Sequence, residues 1–510
     1  MSDNNTTNAK ETSKKMLPVS KAEEKDYVPH ALQKIMAMGG EQFIAEHPEL
    51  ENEQVDLIRL MAKCGTGDLG SMVYTCSNCE NVMVIGKACH NSQCSNCQGL
   101  ESEIFTEENK GMLVEGVCFH IVTTVPDELI PIFKMNKRFC YDLILKCASQ
   151  AILDLCKDEQ WLGGKPGIIA VLQTFGSKMN FHPHVHLIVE AAALNEDKTE
   201  IIHTPSERFL KADGSYKRKF FIPEAVLYHM FRGKFLSALE NAYKKGKLRV
   251  PQELLNPAEW RRFIDYLYEI NWICYCKQTF DNNGDAIKYI SRYVARTAIG
   301  NSRIKKLTDK EVTYSYKDYK DGGKVKLRTV TIQQFIGLYI QHVLPKGFKK
   351  IRYSGFLAAN KRKESLDAFA RIQGKRVYEP RFTRKTKTKE ILSILGVFKD
   401  RICRRCGKDS LELAYEFNAL GNEVRSYPHT LTKREKHQKA LNSYLNADPK
   451  IQKRIREAIE MHRNGDRYQF TLSLFPEDNI DPEHRLWLID WVKKFYGTEM
   501  LELSLSEIAV

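Results

Sequence analysis

No apolar run in this 510-residue chain approaches the ~18 residues that a membrane-spanning helix needs, and the N-terminal stretch has no apolar signal core. A helical membrane protein and a secreted one are thereby disfavoured, and the chain is expected in the cytoplasm. Acidic residues are also in short supply, 64 Asp and Glu against 78 Lys and Arg, which leaves a formal charge of +14. Such an excess favours polyanions, nucleic acid first among them. Large apolar residues are scarce where cysteines are dense. Six of the 14 cysteines (Cys64, Cys76, Cys79, Cys89, Cys94, Cys97) fall in one short segment. In a reducing compartment that clustering argues for metal rather than disulfides. Cys118, Cys140, Cys147 and Cys156 lie singly in apolar runs and read as small buried hydrophobes.

The cysteine segment holds two Cys-x-x-Cys pairs, Cys76/Cys79 and Cys94/Cys97, whose turn geometry lets four thiolates close on one tetrahedral zinc. Cys64, Cys89 and His90 are then left for a second ion or as alternates. Four cysteines argue for a closed structural site, hence a DNA-binding or docking module. A further pair, Cys403/Cys406, has no evident partner pair, with His429 and His437 as the nearest candidates to complete it.

Residues 181–189 read FHPHVHLIV. In an extended strand alternate side chains share a face, so His184 and His186 point the same way and could hold one metal ion, while Val185, Leu187 and Val189 face a core. The preceding GIIAVLQTF (167–175) and the turn GSKMN form a hairpin with this strand, which puts Gln173 near His184 or His186. Upstream lie a strand at VCFHIVTTV (117–125) and a long helix from about Ile130 to Cys156. Strand, helix and hairpin imply an α+β fold, a central antiparallel sheet with helices packed on one side.

Downstream, Pro223 opens a helix with Leu227, Phe231, Phe235 and Leu239 on one stripe. The strand WICYCKQTF precedes a helix for which Asp285 is a plausible N-cap. Tyr289 and Tyr293, four apart on it, share a face, with Lys288, Arg292 and Arg296 as a basic stripe beside them. A histidine pair and a tyrosine pair backed by cations suggest a tyrosine attacking a metal-bound phosphate. VTYSYKDY and KVKLRTVTI flank Lys320-Asp321-Gly322-Gly323, a hairpin. Residues 346–389 carry fifteen Lys or Arg, including Lys349, Lys350 and Arg352, against three acidic residues. Phe348, Tyr353, Phe356, Tyr378 and Phe382 are interleaved, so cations could neutralise phosphates while rings stack on unpaired bases.

The organisation read from these features is a disordered tail (1–28), a zinc-binding domain (29–105) and a nuclease domain (106–345) with a helical insertion at 195–270. A basic aromatic DNA-binding segment (346–400) and a mostly helical C-terminal region (401–510) follow.

The cysteine cluster, HPHVH and YISRY, in that order, resemble the HUH-type transposases of rolling-circle insertion sequences, specifically the two-tyrosine group with an N-terminal transposase zinc-binding domain. NKRFCYDLI, FRGKFLSAL, KDYKDGGK and HVLPKGFKKIRYSGFLA look the same way, and the resemblance covers about Pro29 to Lys363. It implies an HUH-nuclease sheet in a bacterial, nucleoid-associated protein, with His184 and His186 holding Mg²⁺ or Mn²⁺. Tyr289 and Tyr293 are then the nucleophiles that nick and rejoin single-stranded DNA at element ends and target through a 5′-phosphotyrosine. Such a hard ion wants an oxygen ligand too. Gln173 is the first choice, with Glu190 and His182 as alternatives. A homodimer is compatible with this reading. Two other classes compete: a plasmid replication or transfer initiator with the same chemistry, and a non-catalytic zinc-dependent DNA-binding protein. A zinc hydrolase is weaker, because HPHVH lacks the helical His-Glu-x-x-His spacing.

Overall fold

A computed structural model of the chain describes residues 28, 30–114, 117–204, 222–280, 283–395, 402–403, 405–431, 435–436 and 439. The expected disordered tail, apart from residue 28, and the bulk of the expected C-terminal helices, including His437, lie outside the described residues. The elements divide between two compact units, residues 1–69 with 87–394, and residues 70–86 with 395 onward.

In chain order the first half holds α1 (Ala31–Glu46), α2 (Asn52–Lys63), β1 (Ser71–Cys76), β2 (Val82–Gly86), α3 (Gln98–Asn109), β3 (Cys118–Thr124), α4 (Ile130–Met135), α5 (Lys137–Leu155), β4 (Ile168–Phe175), β5 (Phe181–Glu190), β6 (Ala192–Leu194) and β7 (Ile201–His203). The second half holds α6 (Glu224–Lys244), α7 (Pro257–Glu269), β8 (Cys274–Phe280), α8 (Asn283–Val294), β9 (Ile304–Leu307), β10 (Glu311–Asp318), β11 (Lys324–Thr331), α9 (Ile332–Ile340), β12 (Ile351–Ser354), α10 (Arg362–Ile372), α11 (Thr388–Ile394), β13 (Leu411–Phe417) and β14 (Glu423–Ser426). Among the described residues no helix is long and apolar enough to cross a membrane.

The larger unit is built on a five-stranded antiparallel sheet in the order β12-β4-β5-β3-β8. Its central strand β5 is buried along most of its length, as the alternation of histidine with valine and leucine requires. Helices cover both faces rather than one: α5 and α6 pack on the first, α8 on the second. The expected long helix after β3 is also two helices, broken at Asn136 (φ −134°, ψ 44°). The Asn136 amide donates to the carbonyls of Ile132 and Arg249 and accepts from the Arg249 amide, so a contact 113 residues away fixes the break.

On α6, Leu227, Phe231, Phe235 and Leu239 are fully buried with Phe119, Ile121, Val185 and Leu187 of the sheet. A separate core joins α1, α2 and α9 to the three-stranded sheet β11-β10-β9, in which β10 and β11 pair from Glu311↔Thr331 to Asp318↔Lys324. Gly322 and Gly323, at φ 60° and 80°, make the turn that only glycine adopts freely. The smaller unit is a four-stranded antiparallel sheet, β14-β13-β1-β2.

Candidate active site and metal centres

The second face of the five-stranded sheet carries the candidate site residues. In β5 the residues opposite β4 and β3 share a face with it, so the register Gln173↔His184↔Thr124 and Val171↔His186↔Val122 aligns Gln173, His184 and His186 on one side. His120 faces Ile188 in the same register and joins them. Helix α8 lies over this face because Ala286, Ile287, Ile290 and Val294 bury against Ile169, Val171 and Ile188. Its seating delivers Tyr289 and Tyr293 to the histidines. Asp285, expected as its N-cap, falls inside the first turn, since the helix begins at Asn283.

The polar groups form one chain of contacts. Tyr293 donates its hydroxyl to Tyr289 at 2.7 Å, and Tyr289 lies 3.5 Å from His120 Nδ1. His120 Nε2 is 2.9 Å from His186 Nδ1, with the two rings stacked at 5.2 Å. The Tyr293 ring sits 3.8 Å from that of His186. His184 Nδ1 lies 2.7 Å from the carbonyl oxygen of His182, so it carries the proton and leaves Nε2 its lone pair. The Gln173 amide nitrogen donates to the Tyr293 carbonyl at 3.3 Å, which leaves its Oε1 unengaged by that bond.

Burial sets the protonation of these groups. It holds His120 and His184 down to about 4 and His186 well below the usual imidazole range. All three are therefore neutral near pH 7, the form that binds metal. Burial, and then the bond to Tyr289, raises the Tyr293 phenol above its usual value. Arg296 lies near enough to act electrostatically on His184, His186 and Tyr293.

Of the alternative third ligands, His182 contributes its carbonyl, while its ring is 3.8 Å from Asp127. Glu190 is on the right face, but it is fully buried, opposes Cys118, and its Oε1 accepts from the Val114 amide at 2.8 Å. His120 was not among the residues singled out from sequence. A lone histidine in VCFHIVTTV reads as strand filler until the β3–β5 register is known.

Lys288, Arg292 and Arg296 are all exposed. Lys349 and Lys350 line a cleft of about 720 Å³ with Phe348, Arg384, His90 and Val294. Burial lowers Lys350 to about 8, and Arg352 is paired with Asp142 at 2.5 Å. The rings expected to stack on bases are largely committed. Phe356 and Phe382 are buried, Tyr353 donates to Asn109 at 2.7 Å, and Tyr378 donates to Glu107 at 2.5 Å. Arg381 holds that same Glu107 at 2.9 Å, and Arg381 and Tyr378 keep its carboxyl down at about 2 against burial. Arg352 and Arg381 thus also tie parts of the fold together.

The cysteines do not pair as spacing suggested. Among the described residues two groups bring their sulfur atoms together: Cys64, Cys89, Cys94 and Cys97, and Cys76, Cys79, Cys403 and Cys406, each within 4.8 Å. Cys76/Cys79 and Cys94/Cys97 therefore belong to different groups, and Cys403/Cys406 is not a lone pair. His90 is in neither group, and His429 bonds instead to the Tyr427 carbonyl and to Glu435. In the first group Cys64–Cys97, Cys64–Cys94 and Cys89–Cys97 are 3.7, 3.7 and 3.6 Å apart. Four thiolates around zinc at ~2.3 Å would stand about 3.8 Å apart, so the donor set fits that ion. This group abuts the core of α1, α2 and α9, which supplies the apolar mass its own segment lacks.

Residues 167–365 match the family model described as "Putative transposase", and residues 35–125 the model described as "Transposase zinc-binding domain". The chain is 32% identical to a putative transposase y4qJ of Sinorhizobium fredii over 351 residues, 68% of this chain and 85% of that one. It is 27% identical to the transposase for insertion sequence element IS801 of Pseudomonas savastanoi pv. phaseolicola over 325 residues, 62% of this chain and 73% of that one. No solved structure matches it significantly. With its histidine and tyrosine elements inside the first family match and the first tetracysteine group inside the second, the chain belongs to the IS91-type (Y2_Tnp) transposases with an N-terminal zinc-binding domain.

Proposed function

We propose that this transposase nicks and rejoins single-stranded DNA through a covalent 5′-phosphotyrosine on Tyr289 or Tyr293. The observation that carries the reading is the placement of two phenol oxygens 2.7 Å apart on α8, directly over the imidazoles of β5 and β3. Attack by a tyrosine oxygen forms a P–O bond to the scissile phosphate and breaks the bond to the 3′ oxygen, which leaves as a hydroxyl. Reversal by a 3′-hydroxyl of another strand reseals the backbone without an external energy source. Two tyrosines allow two attachments, hence cleavage at donor and target.

The implied Mg²⁺ or Mn²⁺ fits the donor set of His184, His186 and Gln173. Each has one ring or amide atom tied to the protein, leaving imidazole nitrogens and an amide oxygen on one face of a rigid sheet. When bound, the ion would withdraw charge from the phosphate and offset the charge that builds during displacement. The protein's own groups do the rest. Tyr289 is the better placed to start, because it has both a hydroxyl donor in Tyr293 and an imidazole nitrogen in His120. His120 links the nucleophile to His186 and so fixes one against the other. Exposed Lys288 and Arg292 on the same helix, and Arg296 just past its end, can hold flanking phosphates.

The test uses single-stranded oligonucleotides spanning the junctions that flank the gene, incubated with the full chain and Mn²⁺. Denaturing gels and peptide mass spectrometry should show an adduct on Tyr289 or Tyr293 that vanishes in His184→Ala. DNA binding without an adduct would sink the proposal, leaving a non-cleaving DNA-binding protein. An adduct on some other tyrosine would sink the site assignment.

A further inference from the structure

The family's zinc-binding match ends at residue 125, yet Cys76 and Cys79 meet two cysteines that lie far beyond it. Cys76 and Cys406 are 3.7 Å apart across 330 residues, and Cys79 and Cys403 are 3.5 Å apart across 324. Cys76 and Cys79 are 3.5 Å apart. These separations approach the edge of a tetrahedron of thiolates around zinc, about 3.8 Å. Proximity of sulfurs alone could be accidental, but the backbone is built for it twice.

Each Cys-x-x-Cys closes the same turn. The amide of Glu80 donates to the Cys76 carbonyl at 2.9 Å, and that of Gly407 to the Cys403 carbonyl at 2.8 Å. The Cys76 amide donates to the carbonyl of Asn81 at 2.9 Å, and the Cys403 amide to that of Lys408 at 2.8 Å. In both turns the residue after the second cysteine is left-handed, Glu80 at φ 58° and Gly407 at φ 69°. A left-handed glutamate is uncommon, so the first turn holds a conformation that its residue does not favour. Two copies of one turn, facing each other with four sulfurs between them, are the two halves of a ribbon-type metal site.

We infer that the chain carries a second structural zinc bound by Cys76, Cys79, Cys403 and Cys406, and that this ion ties together the two segments of the smaller unit, residues 70–86 and those from 395 onward. Among the described residues the unit's buried apolar cluster is Tyr74, Cys76, Cys403 and Leu411, with Met72, Met83 and Leu413 packed against it, so two of its four buried members are ligands. Strand pairing of β1 with β13 joins the segments, from Ser71↔Phe417 to Cys76↔Leu411, and a shared ion would clamp the same two segments at the Cys76 end of that pairing. The ion therefore cross-links the C-terminal segment to the turn between β1 and β2. It also loads last, because two of its ligands are made more than three hundred residues after the others.

Zinc counting by native mass spectrometry, with alkylation mapping of every cysteine, tests this on the full chain. The parent should hold two zinc ions. Cys403→Ser/Cys406→Ser should hold one, with Cys76 and Cys79 now reactive and Cys64, Cys89, Cys94 and Cys97 still protected. A parent with one zinc, a double variant that keeps two, or joint exposure of Cys94 and Cys97 would overturn the assignment. Should the double variant fail to fold, Cys406→His keeps a four-ligand set and is expected to retain two ions. Stepwise chelation of the parent gives an independent readout. Cys76, Cys79, Cys403 and Cys406 should become reactive as one set, and their exposure in separate steps would refute the shared ion.

Discussion

Along β5 neighbouring residues serve opposite faces of the same sheet. Val185, Leu187 and Val189 are fully buried against α5 and α6, whereas His184 and His186 face α8 and its tyrosines. One face is a packed hydrocarbon layer and the other a chain of imidazoles and phenols. The apolar face holds the strand still, and that stillness is what allows two rings on the other face to be placed to within a hydrogen bond. Packing and the proposed chemistry thus divide by residue parity, which makes the contrast open to direct attack.

The largest effects should come from neighbouring positions on opposite faces. Leu187→Ala removes a fully buried side chain and is expected to cost about 2–5 kcal/mol in denaturant unfolding of the larger unit, with DNA cleavage lost only as far as folding is lost. His186→Ala should do the reverse, cutting nicking by about 10²–10³-fold or more with a much smaller change in unfolding midpoint. If His186→Ala melts the protein as Leu187→Ala does, the reactive face is structural and the comparison collapses.

Within the reactive face, the two tyrosines and His120 should rank. Phenylalanine keeps the ring contacts and deletes only the hydroxyl. Tyr289→Phe is expected to abolish the first nick, while Tyr293→Phe leaves a slower nick and blocks strand transfer. The opposite pattern would assign the first attack to Tyr293. His120→Ala should lower nicking about 10–100-fold by releasing both Tyr289 and His186, with DNA affinity unchanged in a filter-binding titration. A loss of affinity equal to the loss of rate would show His120 to be part of the DNA surface instead.

Much of this site was legible in the sequence because it is encoded locally. The alternation in FHPHVHLIV gives a strand and its two faces, the tyrosines at i and i+4 share a helix face, and the two glycines of KDGG mark a turn. What escaped depends on pairs far apart. His120 gains meaning only from its register against Ile188, and the kink at Asn136 only from Arg249. Cys-x-x-Cys spacing fixes a half-site but carries no information on which half-sites meet, so Cys76/Cys79 reads as the partner of the nearest pair, whereas the fold brings it to one beyond residue 400. Charge density likewise does not say which cations have partners: Arg352 pairs with Asp142 at the surface, and Arg381, itself half exposed, holds the buried Glu107.

The smallest effect is a pH dependence that distinguishes a histidine used for packing from one kept for a metal. His342 is buried with Nε2 on the Met179 carbonyl at 3.1 Å and Nδ1 on the Thr174 hydroxyl at 3.2 Å, so both nitrogens are satisfied in the neutral form. Burial lowers it to about 4, as it does His184. Each folded pKa lies below the unfolded value of ~6.5, so the unfolded chain binds more protons between pH 6.5 and 4. The stability these neutral rings contribute is complete above ~6.5 and is lost as pH falls toward 4, by up to about 1.4 kcal/mol per pH unit for each ring. His342→Gln and His184→Gln should each flatten the acid limb by that increment relative to the parent, a difference in which the zinc thiolates cancel. Added Mn²⁺ separates them. It should raise the midpoint at pH 6.5 of the parent and of His342→Gln but not of His184→Gln, because only the latter has lost a nitrogen that faces the tyrosines. Equal Mn²⁺ stabilisation of all three proteins would remove His184 from the metal site and leave the two faces of β5 distinguished by polarity alone.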